Sequence, residues 1–107
     1  MYSKMVNDGY YRKHVVYDKP LKYCPNGSAG VVISNDGTVH LVSYTTRVIS
    51  ISPDGWMDCT GTYSATTRKH IGAFMKEYGN GLTYYTAKEL AETGNTMNIY
   101  TGEIKGA

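Results

Sequence analysis

Two Asp-Gly turns, Asp36-Gly37 and Asp54-Gly55, each flanked on both sides by strand-forming residues, constrain this chain more than any other feature. Gly accepts positive φ without steric cost, so Asp-Gly between two alternating runs favours a tight reversal and antiparallel pairing. Strands are predicted at Ala29 to Ser34, Thr38 to Tyr44, Arg47 to Ser52 and Trp56 to Tyr63. The central pair alternates with period two. Val39, Leu41 and Ser43 share one face, and His40, Val42 and Tyr44 the other; Ile49 and Ile51 share a face opposite Val48, Ser50 and Ser52. This pattern describes an antiparallel meander covered on one side and wet on the other. His40 is accordingly expected on the solvated face.

The cover is predicted directly downstream. Thr67, Ile71, Phe74, Met75 and Tyr78 recur at spacings of three and four, an apolar stripe on a helix over residues 65–78. Ser64 or Thr66 can cap its start, Gly79-Asn80-Gly81 ends it, and Arg68, Gly72 and Lys76 lie opposite the stripe. His70 falls one residue off the stripe, where it would pack and find a hydrogen bond. Thr86-Ala87-Lys88-Glu89 matches a capping box and starts a second, short helix that Gly94 stops. Thr96 to Tyr100 reads as a last strand, and residues 102–107 as a frayed tail. Upstream, Asn7-Asp8-Gly9 predicts a hairpin joining Tyr2–Val6 to Tyr10–Tyr17, and residues 18–28, with two prolines and Asn26-Gly27, read as a loop along a sheet edge. The expected fold is α+β: a twisted antiparallel sheet of four to six strands, one main helix packed on a face and a second short helix. All 107 residues are assigned to one domain.

Composition narrows function mainly by exclusion. A net charge of +2 falls short of the basic balance of a dedicated nucleic-acid binder. The cations are uneven, with Lys4, Arg12, Lys13, Lys19 and Lys22 in the first quarter and Arg68, Lys69 and Lys76 on the predicted helix. There are 11 Tyr but one Phe and one Trp, so tyrosine must fill core positions as well as serve surfaces. No run approaches the roughly 20 apolar residues that span a bilayer. Met1-Tyr2-Ser3-Lys4 leads into no signal-peptide apolar segment. A cytosolic setting is expected, in which Cys24 and Cys59 stay reduced.

Chemistry is sparsely signalled. His14, His40, His70 and the two cysteines lack the closely spaced pairs of a zinc site. No glycine-rich phosphate loop is present. His40, His70, Arg68 and Asp58 are the residue types a hydrolytic site needs, but no spacing brings them together. No catalytic residue, metal or cofactor is therefore assigned, and the chain reads as a non-enzyme. Two segments suit binding. Ser64-Ala65-Thr66-Thr67-Arg68-Lys69 offers hydroxyls, backbone N–H groups and cations at a helix start: an anion site, or an ordinary solvated cap. Tyr10-Tyr11-Arg12-Lys13-His14 interleaves aromatics with cations: a base-stacking strand, or an edge strand guarded by charge. The candidate partner-binding residues are Tyr10, Tyr11, Arg12, Lys13, Arg68, Lys69 and Lys76.

Tyr44-Thr45-Thr46-Arg47-Val48, and Thr60 through Ile71 with its S-x-T-T-x-K-H-I helix start, resemble a group of small uncharacterised proteins encoded by phages and plasmids of bacteria, particularly Gram-positive ones. The resemblance covers about a third of the chain and brings no catalytic residue or cofactor. It implies a mobile-element accessory protein. The tyrosine content and compact fold then favour one that binds a host macromolecule, a host protein or nucleoprotein complex, in the host bacterial cytosol, as a monomer or homodimer. By analogy of genomic context, inhibitors of host defence, including anti-CRISPR proteins, belong to this class. A small nucleic-acid-binding module is the alternative, and a small nuclease-like enzyme the last.

Overall fold

The computed structural model describes residues 5–6, 14–15, 17–25, 28–61 and 65–106. Its elements in chain order are β1 (Met5–Val6), β2 (His14–Val15), β3 (Lys19–Pro20), β4 (Ala29–Ile33), β5 (Val39–Ser43), β6 (Thr46–Ile51) and β7 (Trp56–Cys59), then α1 (Ala65–Tyr78), α2 (Tyr84–Thr93), β8 (Thr96–Asn98) and β9 (Ile104–Lys105). Strands β3 to β9 form one antiparallel sheet of seven in sequential order, and β1 pairs with β2 separately. The fold is α+β, with more strands than the four to six expected.

The two Asp-Gly turns are where the sequence puts them. Gly37 and Gly55 both take positive φ, 90° and 98°. The inward face of the sheet and both helices share one core. Leu41, Ile49, Ile51 and Met57 from the strands meet Ile71, Phe74 and Met75 from α1 and Ala87 and Leu90 from α2. Burial of this face is the dominant stabilising term.

Several expectations are corrected. Val48 does not lie opposite Ile49. Leu41 pairs with Ile49 but Val42 pairs with Arg47, so Val48 is an extra residue on β6. This bulge turns Val48 into the core beside Ile49, where both are fully buried. The segment 18–28 is not only a loop, because Lys19–Pro20 pairs with β4 as an edge strand and Leu21 is fully buried. Proline suits that place, since an edge leaves one side of the strand without a partner. The tail expected to fray also pairs, Ile104 with Met97 and Lys105 with Thr96. Helix α2 starts at Tyr84 rather than after Thr86: Thr83 is its N-cap, accepting from the Tyr85 N–H at 3.3 Å. Its end at Gly94, with φ 76°, is as expected.

The second face of the sheet is not simply wet. Val32 and Val42 are fully buried there beneath Tyr17. Gly30 makes room for that ring; a Cβ on it would clash with Tyr17 Cγ. Tyr17 is tied down by donating its hydroxyl to the Tyr44 carbonyl at 2.8 Å.

Candidate partner-binding site

Helix α1 forms because its apolar positions repeat at helical spacing, and it buries Thr67, His70, Ile71, Ala73, Phe74 and Met75. That fixes which residues remain outside. Arg68, Lys69 and Lys76 are exposed. Around Gly72 on a helix surface the neighbours are the residues three and four positions away. Those are Arg68, Lys69, Met75 and Lys76. The three cations therefore ring one glycine.

Beside that glycine runs an open cleft of about 340 Å³, lined by Gly72, Met75, Lys76 and the segment Gly81 to Tyr84. Its size is at the small end for ligand sites. Two of its lining residues, Tyr84 and Lys76, each take part in a cation–tyrosine contact. The Arg68 guanidinium lies 5.3 Å from the centre of the Tyr84 ring. Lys76 Nζ lies 4.6 Å from the Tyr23 ring, and Lys22 Nζ 5.5 Å from it. Such contacts hold a cation in place without neutralising it. Among the described residues no carboxylate forms an ion pair with Arg68, Lys69 or Lys76. The nearest acidic neighbour in sequence, Glu77, instead accepts from the Lys22 backbone N–H at 3.1 Å. Tyr85, edge-on to Tyr84 at 5.4 Å between centroids, is 75% exposed.

The structure thus brings together three of the seven predicted residues. Tyr10, Tyr11, Arg12 and Lys13 lie outside the described residues, as does Ser64 of the expected helix-start anion site. Thr67 of that site is turned away from solvent, buried with its hydroxyl 3.3 Å from Ser43 Oγ. Tyr23 and Lys22 were missed as site residues. The available signal was the pairing of aromatic with cation at Lys22-Tyr23 in a chain rich in tyrosine.

The histidines are structural in their geometry. His70 is fully buried, as its place beside the stripe required. Its Nδ1 is 2.8 Å from Ser43 Oγ and its Nε2 3.3 Å from Ser28 Oγ. Burial, then the charge of Lys69, lowers its pKa from the ordinary 6.5. His40 contradicts the expectation of a solvated position: it is 7% exposed. It is held between two hydroxyls, Nε2 at 2.5 Å from Ser34 Oγ and Nδ1 at 2.6 Å from Ser50 Oγ. Arg47 Nη1 donates to the same Ser50 Oγ at 2.8 Å and to Asp58 Oδ1 at 2.9 Å. Desolvation first, and the Arg47 charge among the further causes, lowers the His40 pKa. A neutral imidazole satisfied on both nitrogens is the state this chain of bonds holds. Among the described residues no group of three or more His, Cys, Asp or Glu is placed to hold a metal ion.

Fold and surface together define a small α+β domain with both helices on one face of an antiparallel meander and a cleft rimmed by cations and tyrosines. By sequence the chain belongs to the family described as a family of unknown function, DUF8033, which matches residues 13–92. No curated protein and no solved structure matches the chain.

Proposed function

We propose that the protein is a non-enzymatic accessory protein of a phage or other mobile element. It works in the bacterial cytosol by binding and inhibiting a host macromolecule, such as a CRISPR-Cas or other defence complex. The observation that carries the binding reading is the ring of Arg68, Lys69 and Lys76 beside an open cleft, with no carboxylate paired to any of them among the described residues. Three cations without a paired carboxylate on one helix face offer an anionic partner a complementary surface. The phage setting and the inhibitory role rest on the sequence resemblance alone.

A nucleic-acid-binding module is the second reading, favoured by Tyr23 lying within reach of two lysine ammonium groups. An exposed ring flanked by cations is a stacking platform for a base. Capture of partners from bacterial lysate with the tagged protein, with and without nuclease, separates the two. A protein partner that survives nuclease is the expected result. Loss of every partner on nuclease treatment transfers the assignment to nucleic acid.

A further inference from the structure

Gly72 lies in the middle of α1, where glycine is the poorest helix former after proline. Such a residue is normally explained by a close neighbour that leaves no room for a side chain. Gly30 and Gly79 have that explanation, with Tyr17 and the Met75 carbonyl against them. Gly72 has none: a Cβ built there would meet nothing within 4 Å. Its position therefore faces open space, and Gly72 lines the cleft.

The row Arg68, Gly72, Lys76 is a ridge of residues four apart along the helix surface. With its middle member missing, the ridge becomes a notch with a cation at each end. The two cations stand about 12 Å apart along the axis, from a rise of about 1.5 Å per residue. Leu82 and Tyr84, both half-buried, give the notch apolar lining over the buried Met75.

Resting on the partner-binding reading above, we propose that this notch docks an acidic protein segment. One apolar side chain of that segment seats over Gly72, and carboxylates on either side meet Arg68 and Lys76. On an extended segment the two carboxylates fall about four residues apart, at about 3.3 Å per residue. Nucleic acid fits less well. Phosphate contacts scale in strength with the number of cations engaged, of which this notch has three, and they gain nothing from an apolar pocket.

The test is selection from a randomised library of short linear peptides displayed against the wild-type protein, followed by affinity measurement on Gly72→Gln and on labelled oligothymidine. Gln is a better helix former than Gly, so the variant should melt no lower than wild type while its side chain closes the notch. The expected peptides carry an apolar residue between two carboxylates and lose about tenfold or more in affinity on Gly72→Gln, the effect of removing one central contact. Selected peptides without that pattern, none above background, equal binding to both proteins, or oligothymidine binding that the peptides do not displace would each overturn the proposal. If Arg68, Lys69 and Lys76 together changed to Gln abolish capture of lysate partners while no acidic peptide is selected, partner binding stands and the acidic segment falls. If that triple variant keeps every lysate partner, the partner-binding reading itself falls.

Discussion

Phe74→Ala is the sharpest test of how α1 is held. Among the described residues Phe74 is the largest fully buried side chain, and it sits in the cluster that joins Leu41, Ile49 and Ile51 of the sheet to Ile71 of the same helix. Truncation removes the transfer free energy of the ring and leaves a cavity, at a cost of about 3–5 kcal/mol. It also deletes the ring contact with Tyr78, 5.0 Å between centroids, worth about 0.5–1.5 kcal/mol within that total. A chain of 107 residues has a total stability of about 5–16 kcal/mol, so the loss is a large share of it. In melting temperature this is a drop of about 12–25 °C. Urea unfolding followed by Trp56 fluorescence measures it directly. Trp56 is the single tryptophan, on β7 with Lys105 Nζ 4.1 Å from its ring centre, so its emission reports on the far edge of the sheet. An unchanged m-value with a lower midpoint is expected. A loss under about 1 kcal/mol would mean that α1 does not pack on the sheet as described.

Three further outcomes are expected. His40 and His70 both have folded-state pKa values below the ordinary 6.5, so below that pH the unfolded chain binds more protons and stability falls with acid. Stability should be flat with respect to these groups above about pH 7 and decline from about pH 6.5 downward, and a His40→Gln, His70→Gln double variant should flatten that decline; an identical slope in the variant would refute the assignment. Cys24 and Cys59 are free, and burial pushes the Cys59 thiol pKa up, so alkylation without reductant should label Cys24 first and Cys59 only on unfolding, with equal rates by mass spectrometry as the contrary result. Asn98, itself buried, donates to the Asp54 carbonyl at 3.0 Å and accepts from the Tyr100 and Thr101 N–H groups at 2.9 and 3.1 Å, all part-buried bonds; Asn98→Ala removes them and should cost about 0.5–1.5 kcal/mol by thermal melting, where no measurable change would show the bonds to be replaced by water.

The strand–turn–strand centre and α1 were legible because turn chemistry and hydrophobic period agree there. Asp36-Gly37 and Asp54-Gly55 set the hairpins, and the stripe from Thr67 to Tyr78 set the buried side of the helix. What was not legible depends on one-residue offsets and on tertiary partners. The bulge at Val48 reverses its side of the sheet, and strict alternation cannot foresee an extra residue. His40 reads as a surface residue until Ser34, just past the end of β4, and Ser50 of β6 are seen flanking it. Strands β3 and β9 are two residues long, too short to carry any period, and exist because the sheet edges pair them. Thr83 rather than Thr86 caps this helix, accepting from the Tyr85 N–H, and a T-x-x-E spacing alone does not separate a cap from a residue inside the first turn. The candidate site was half visible: the helix cations were, but their notch depends on Gly72 facing the loop from Gly81 to Tyr84, and Tyr23 comes from a segment read as a loop.

The most direct measurement of the binding claim is quantitative capture of a lysate partner by wild type and by the variant with Arg68, Lys69 and Lys76 changed to Gln, at low and at physiological salt. The three side chains are exposed, so each change should cost within about 0.5 kcal/mol and leave the fold intact. Capture by the variant should fall at both salt concentrations, and fall furthest at low salt, where the screening length grows from about 8 to about 30 Å. Equal capture by both proteins at every salt concentration, with both folded, would contradict the claim that this face of α1 is the binding surface.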